Sequence, residues 1–289
     1  MRIEKEKKIL LAGGTGYLGG YIAKEIVNNN LSARFITRDK KKMQEFESSS
    51  IEVIEAEVTK PETLTGVCKG VDVVISTVGI TRQKDGLSYM DVDYQANVNL
   101  LREAQRAGVR KFIYVSAING DLHRHLKIFE AKEAFVDELK KSGLDYTILR
   151  PNGFFSDMRD FLSMANKGSV FLFGKGNQLL NPIHGEDLAQ MCLNLIDNPT
   201  TECSVGGPDV LTHNEIAEMA FHVLHKKPKV MHLPNWTRLL TLWLLRKLTK
   251  ESTYGPIEFF LTMMADDNVA MRYGTRRLKQ YYKENASMV

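Results

Sequence analysis

Three glycines at intervals of three residues, Gly13, Gly16 and Gly19, have the spacing that most directly indicates chemistry. They follow the apolar run 9–12 and precede residues 20–28, for which we predict a helix. A strand, a glycine turn and a helix in this order predict a dinucleotide-binding site, although the spacing is GxxGxxG rather than GxGxxG. The glycines allow a tight turn, close approach of a pyrophosphate and close helix packing, and the helix amino end offers free N–H groups. The expected cofactor-binding residues of this turn are Gly13, Thr15, Gly16, Tyr17, Leu18 and Gly19.

Arg38 follows the predicted second strand, residues 33–37, where the ribose of the adenosine is expected. Its guanidinium can bind a 2′-phosphate through charge-assisted hydrogen bonds. Arg34 is a second, weaker indication of a 2′-phosphate site. We therefore expect NADP(H). NAD(H) is the alternative, because Asp39 could hold the ribose hydroxyls. The charged segment, which includes the lysines 40–42, could also be a solvated turn that binds no cofactor.

The fourth predicted strand ends in small residues, Thr77, Val78 and Gly79. Small residues at a strand end let the backbone come close to a ligand, so we expect these three beside the cofactor. A simple exit from strand to loop would use the same residues.

Lys132 is the first catalytic candidate. If residues 128–139 form a helix, this lysine shares an apolar stripe with Ile128, Phe135, Val136 and Leu139. A lysine on such a stripe is paired, functional, or an edge residue whose charged head reaches water. Lysines shift their pKa readily when desolvated, which suits catalysis.

Strands and helices alternate through the first half, which predicts a parallel sheet covered by helices on both faces. The fold class is α/β, a Rossmann-type doubly wound parallel sheet with a small C-terminal substrate lobe. Residues 1–152 form the NAD(P)-binding core, and 153–289 complete it and form the lobe, placed at the carboxyl edge of the sheet. The other predicted strands are 51–56, 71–76, 111–115 and 146–149, and the other helices are 88–107, 129–142, 188–196, 214–224 and 236–250, while 154–175 has no regular pattern.

The composition is that of a globular protein, with 289 residues, 43% hydrophobic and 26% charged. The net charge of +4 is too small to predict nucleic-acid binding. Cys68, Cys192 and Cys203 show no metal spacing, so no metal is expected and a reducing compartment fits. No signal peptide or bilayer-spanning run is visible, which makes the cytoplasm the default. The oligomeric state stays open.

The chain resembles the short-chain dehydrogenase/reductase superfamily in its extended and atypical, NAD(P)H-binding branch. That branch includes NmrA-like regulators, isoflavone-reductase-like enzymes, divinyl chlorophyllide reductase-like proteins and a complex I accessory subunit. The matching pieces are the glycine turn, Thr77-Val78-Gly79, Asn97, Tyr114-Val115-Ser116, Lys132, residues 142–151 and residues 181–189.

The resemblance implies that Ser116 and Lys132 are catalytic, with Lys132 also contacting the cofactor. The superfamily's catalytic pair is Tyr-x-x-x-Lys, but Ile128 stands where the tyrosine belongs. Three interpretations follow. In the first, the chain transfers hydride from NAD(P)H to a small, hydrophobic organic substrate, such as one with a conjugated double bond. In the second, another side chain replaces the tyrosine as the proton-donating acid. In the third, the chain binds NADP(H) without catalysis, as a regulator or assembly subunit. A nucleotide-sugar epimerase or dehydratase is the last alternative. The candidate acids are Tyr114, His123, His125 and His184.

Asn152 and Phe154 follow the sixth strand, and His123 lies in the loop after the fifth, so we expect these three to line the substrate site. Loop packing would explain them as well. Residues 236–250 combine apolar residues at helical spacing with four basic ones. This pattern predicts either a helix that contacts a membrane surface or a protein partner, or one that covers the substrate lobe.

Overall fold

Short apolar runs in the first half of the chain form parallel strands. The computed structural model describes residues 7–80 and 86–288. Its strands are β1 Lys8–Ala12, β2 Ser32–Thr37, β3 Ile51–Glu55, β4 Val73–Ser76, β5 Lys111–Val115, β6 Asp145–Pro151, β7 Val170–Phe173, β8 Leu179–Leu180, β9 Glu202–Gly206, β10 Leu211–Thr212, β11 Val230–Leu233 and β12 Met271–Arg272.

Helices follow most of these strands. They are α1 Tyr17–Asn28, α2 Asn97–Arg106, α3 Lys127–Lys140, α4 Arg159–Asn166, α5 Gly185–Asn194, α6 His213–Val223, α7 Asn235–Leu248, α8 Glu251–Met263 and α9 Leu278–Asn285. A π-helix, Met90–Ala96, leads directly into α2. None of the helices in the described ranges is long and apolar enough to cross a bilayer.

The main sheet has the strand order β12-β9-β6-β5-β4-β1-β2-β3 in the described residues. The pairs from β3 through β2, β1, β4 and β5 to β6 are all parallel. Strands β1, β4 and β5 are buried along nearly their whole length, as parallel strands covered on both faces must be. The predicted Rossmann-type α/β fold is confirmed.

The chain divides into two compact units. Unit 1 comprises Met1–Arg150 and Leu188–Cys203, and unit 2 comprises Pro151–Asp187 and Ser204–Val289. Unit 1 packs α2, α3 and the π-helix on its parallel strands. Unit 2 has its own core, in which α4, α6 and α9 pack together beside β7 and β11.

Several predicted boundaries were wrong. Helix α1 begins at Tyr17 rather than at the predicted residue 20, so the first turn of the helix contains the end of the glycine motif. The predicted helix 88–107 is a π-helix followed by α2. Ser88 and Asp91, just before and within the π-helix, exchange reciprocal hydrogen bonds of 2.7–3.2 Å. Residues 154–175, predicted to be irregular, contain α4 and β7.

Candidate functional site

The glycine turn takes a conformation that only glycine tolerates at two of its three positions. Gly13 has φ +85°, and the N–H of Gly16 donates to its carbonyl oxygen at 2.9 Å. A Cβ at Gly19 would overlap that same oxygen. Gly13 thus makes the turn and Gly19 lets α1 pack against it.

Gly16 is explained by neither backbone strain nor packing. Its φ of −79° and ψ of 172° suit any residue. An added Cβ would meet one atom, the Gly13 carbonyl oxygen at 3.3 Å. Gly16 is also the N-cap of α1, with no side-chain cap and no acidic residue in the first turn among the described residues. The turn therefore leaves a bare, positive helix end, which is the arrangement that binds phosphate.

A cleft of about 400 Å³ opens beside this turn. Two cations, Lys24 and Lys42, contribute to its wall. The full lining is Gly14, Thr15, Tyr17, Gly20, Tyr21, Lys24, Lys42, Met43, Glu45 and Phe46. Lys42 belongs to the basic run noted in the sequence, but the sequence alone did not single it out as a binding residue.

The residues at the end of β2 differ in burial and in their contacts. Arg34 is buried and donates to Glu52 at 2.8 Å and to backbone carbonyls, so the prediction that it helps to bind a 2′-phosphate was wrong. Asp39 caps a short 3₁₀ helix by accepting from the N–H of Lys41 at 3.1 Å. Arg38 is exposed.

The end of β4 is tied to the glycine turn. Thr77 donates through its N–H to the Ala12 carbonyl at 3.0 Å and through its hydroxyl to that of Gly13 at 3.2 Å. The Asn97 amide donates to the carbonyl of Val78 at 3.2 Å, and Gly79 follows, exposed. The structure thus brings the Thr77–Gly79 backbone next to the predicted phosphate-binding turn.

Lys132 is paired. Its Nζ lies 2.8 Å from Oδ1 of Asp93, a fully buried residue of the π-helix. Asp93 also accepts from the N–H of Ile80 at 3.1 Å, and a Cβ on Gly79 would lie 2.9 Å from the Lys132 Nζ. Burial lowers the pKa of Lys132, but its interactions with Asp93 and Tyr114 together outweigh burial, and the net shift is upward. The lysine is thus a fixed cation beside Gly79. No sequence pattern singled out Asp93 in advance.

Ser116 is part of a buried ionic network. Its hydroxyl donates to Glu133 at 3.1 Å and accepts from Arg150 at 3.3 Å. Arg150 forms two parallel hydrogen bonds with Glu133, at 2.6 and 2.8 Å, and a third with Glu202 at 2.6 Å. The hydroxyl proton of Ser116 is therefore directed into the protein.

The candidate acids differ in access. Tyr114 is fully buried, and burial raises its pKa. His184 precedes α5 and accepts from the N–H of Glu186 at 3.2 Å, while burial lowers its pKa. His123 and His125 lie in the loop after β5, with the His123 ring stacked near Phe129. Ile128 is buried one turn before Lys132 on α3. Of the four candidate acids, His125 is exposed, His123 and His184 are half-buried, and Tyr114 is buried.

Asn152 and Phe154 lie in unit 2, where the expected substrate role stays a prediction. The side chain of Asn152 is buried and donates to Asn181 Oδ1 at 2.8 Å and to the Asn268 carbonyl. Phe154 is half-buried and bridges to Ile183. Packing within unit 2 accounts for these contacts.

The cysteines and metal-ligand types form no further site in the described part of the chain. No three His, Cys, Asp or Glu side chains there come together as metal ligands. Burial raises the pKa of Cys68 to about 12 and also raises those of Cys192 and Cys203. Thiols in this state are poor nucleophiles.

Comparison with known proteins decides the class of this site. Residues 13–199 match the model of a family described as NAD(P)H-binding. The chain belongs to this NAD(P)H-binding family. The predicted NAD(P)H-binding domain and the resemblance to the atypical short-chain dehydrogenase/reductase branch are confirmed.

Two curated proteins and one solved structure are similar to this chain. The chain is 25% identical to the photosystem II assembly factor Ycf39 of Synechocystis over 66% of its own length and 58% of the relative's. It is 26% identical to divinyl chlorophyllide a 8-vinyl-reductase of Arabidopsis thaliana, over 80% of this chain and 60% of that one. The fold matches the structure of AtPrR2 with NADP+ and (+)pinoresinol, with a TM-score of 0.78 and 18% identity over 98% of this chain and 99% of that one. The chain thus spans about three fifths of the length of these two curated relatives.

Proposed function

We propose that the chain is an NAD(P)H-dependent oxidoreductase that prefers NADP(H) and reduces a small, hydrophobic organic substrate. The observation that carries the proposal is the ammonium of Lys132 held against Gly79, beside the glycine turn. A permanent cation at that edge is suited to holding the cofactor's ribose and to stabilising negative charge that develops during hydride transfer. The bound cofactor supplies the hydride, and the protein orients it.

The proposed substrate class follows from the lack of a proton donor at the positions of Ile128 and Ser116. Hydride addition to an isolated carbonyl produces an alkoxide that needs a proton at once, whereas addition to a conjugated double bond or a quinone produces a delocalised anion. Ile128 provides no hydroxyl, and the Ser116 hydroxyl already donates to Glu133. We therefore favour a conjugated acceptor, with the proton coming from water or from His123.

Cofactor preference rests on the cations around the cleft. Arg38 and Lys42 are the candidates for a 2′-phosphate, since the carboxylate of Asp39 is engaged as a cap. Gly13, Thr15, Gly16, Tyr17, Leu18 and Gly19 are proposed to hold the pyrophosphate, with Thr77, Val78 and Gly79 next to them.

The test has two parts. First, Lys42→Ala and Arg38→Ala should each weaken NADPH binding about tenfold, because a hydrogen bond between charged groups contributes about 1.5–3 kcal/mol. NADH binding should stay within about twofold. Isothermal titration measures both, with Lys69→Ala as the control, since Lys69 is exposed and lies outside the cleft. Equal losses for NADPH and NADH would contradict the assignment.

Second, NADPH oxidation is followed over a panel of enones, quinones and simple ketones. We expect turnover with the conjugated acceptors, and its loss when Lys132→Met is combined with Asp93→Asn, which leaves no unpaired buried charge. Lys141→Ala, a change at an exposed residue directly after α3, is the control. Tight NADPH binding without oxidation of any acceptor would overturn the enzyme proposal.

A specific observation favours the second candidate, a non-catalytic NADP(H)-binding regulator or assembly subunit. The described site has Ile128 in the tyrosine position and an inward-directed Ser116 hydroxyl, and one relative is named an assembly factor. A regulator should distinguish NADPH from NADP+ in affinity, so equal affinities would exclude that version. An assembly subunit should retain a stable partner in a pull-down.

A further inference from the structure

Helix α7 carries its apolar side chains on the face exposed to solvent. Trp236, Trp243 and Leu248 are 63%, 52% and 76% exposed. Leu239, Leu240 and Leu244 are exposed as well, so six large apolar residues form one outward stripe. The apolar stripe of a helix in a globular protein normally faces the core.

The inward face of α7 is more polar than the outward one. Arg238 donates to the Leu261 carbonyl of α8 at 3.4 Å, and Thr241 donates to the carbonyl of Thr237 at 2.8 Å. Leu242 is the buried residue of the helix. Arg246 is ion-paired with the buried Glu258 of α8. Packing within unit 2 therefore uses the more polar side of α7 and leaves the apolar stripe without a protein partner among the described residues.

Two further exposed apolar residues lie on strands near α7. Strand β7 contacts α7, and Phe171 of β7 is in register with Met231 of β11. Both of these side chains are exposed. Exposed apolar surface on neighbouring elements is typical of a site of interaction.

The charged residues within α7 and its C-terminal flank are all basic. Residues 235–250 contain Arg238, Arg246, Lys247 and Lys250 and no aspartate or glutamate. The Lys247 ammonium lies 4.2 Å from the centre of the Trp243 ring. This cation–π contact places a positive charge directly beside a tryptophan of the stripe.

We propose that α7 docks the protein on an anionic phospholipid bilayer, with the helix axis in the membrane plane. Tryptophan and leucine on one face, with lysine and arginine beside them, are the residues of interfacial helices. The cations would meet lipid headgroups while the stripe enters the acyl boundary. A second copy of the chain is a less suitable occupant, because its α7 would place its own positive charges against the positive charges of this helix.

The chain contains its own reporters for this test. Its two tryptophans, Trp236 and Trp243, both lie on the stripe. The probes are vesicles of phosphatidylcholine alone and of phosphatidylcholine mixed with phosphatidylglycerol. We expect a blue shift of tryptophan emission and quenching by brominated acyl chains with the mixed vesicles only.

Variants separate the contributions of charge and apolar contact. Lys247→Gln with Lys250→Gln should weaken binding about 25-fold, at about fivefold for each basic residue near an anionic surface. Leu239→Gln with Leu240→Gln should abolish the blue shift and keep both reporters. Leu122→Gln is the matched control, since Leu122 is 70% exposed in unit 1. NADPH affinity should be unchanged in every variant, which verifies folding.

Three outcomes would overturn the proposal. They are no shift with mixed vesicles, equal binding to both kinds of vesicle, and a concentration-dependent blue shift without lipid, which would identify a second copy as the occupant. If a partner protein binds α7 and mixed vesicles have no effect, the stripe is a binding site for that protein.

Discussion

A buried lysine remains charged only where another charge compensates for its lost hydration, and Asp93 does this for Lys132. The same carboxylate accepts from the N–H of Ile80, so one side chain holds both the cation and the loop after β4. Gly79 leaves the space that the pair occupies. Asp93 is therefore a positioning residue for the proposed cofactor site.

Asp93→Asn should cost about 3–5 kcal/mol of unfolding free energy near neutral pH, because it leaves Lys132 buried and unpaired. The pH dependence should also reverse. The wild-type pKa of Lys132 is raised, so its contribution is complete below about pH 10.4 and is lost as the pH rises through the folded value. In the variant, burial is unopposed and lowers the pKa, so stability should increase from about pH 7 to about pH 10.

Urea unfolding at the two pH values measures both effects. The double variant Asp93→Asn, Lys132→Met should recover most of the lost stability, because no buried charge remains. A double variant as unstable as Asp93→Asn alone would show that the carboxylate acts through the loop rather than through the lysine.

Two arginines near the end of β2 show what the sequence could not distinguish. Arg34 and Arg38 stand four residues apart in the same basic segment. Arg34 is held by Glu52 of β3 and by carbonyls of Val67 and Lys69. Those partners come from other elements, so only the tertiary structure shows that Arg34 is structural and Arg38 exposed.

At the scale of elements, the first six strands were predicted, whereas β7 to β12 were not. The runs that became β1, β4 and β5 stood out because parallel strands buried on both faces are continuously apolar. The π-helix has no such signal, since its extra residue per turn is set by packing against α3. Helix α8 was missed because it contains Gly255 and Pro256, which resemble a break.

The beginning of α6 provides a pH-dependent element in unit 2. Thr212 and Glu215 form a capping box, and His213 then enters the core with its ring 6.2 Å from that of Phe161. Burial lowers the pKa of His213 to about 4. Because the unfolded value is about 6.5, the neutral imidazole stabilises the fold above that pH, and stability is lost as the pH falls toward 4.

The resulting loss should reach about 2 kcal/mol at about pH 5. Thermal unfolding between about pH 7 and pH 5 measures it. His213→Gln should flatten this part of the profile whatever its effect at neutral pH, and the exposed His222→Gln on the same helix should not. Parallel profiles for the wild type and His213→Gln would show that other groups carry the acid sensitivity.

At the scale of the whole molecule, the two proposed binding surfaces belong to different compact units. The glycine turn, Thr77–Gly79 and Lys132 lie in unit 1, and α7 lies in unit 2. The sequence predicted the first surface through a motif with known chemistry. It recognised the second only as an amphipathic pattern, because the same spacing describes a stripe that faces a core and one that faces solvent.

Hydrogen exchange with two ligands can assign each surface to its unit. Saturating NADPH stabilises the state that binds it, by about 2.7 kcal/mol at a concentration one hundred times Kd. We expect the strongest new protection at residues 13–20 and 77–80, since those amides surround the proposed phosphate site. Vesicles containing phosphatidylglycerol should instead protect residues 235–250.

Leu239→Gln with Leu240→Gln should remove the protection by lipid and keep the protection by NADPH. NADPH protection as strong at 235–250 as at 13–20 would mean that α7 responds to the cofactor site, and the assignment of separate surfaces would be wrong.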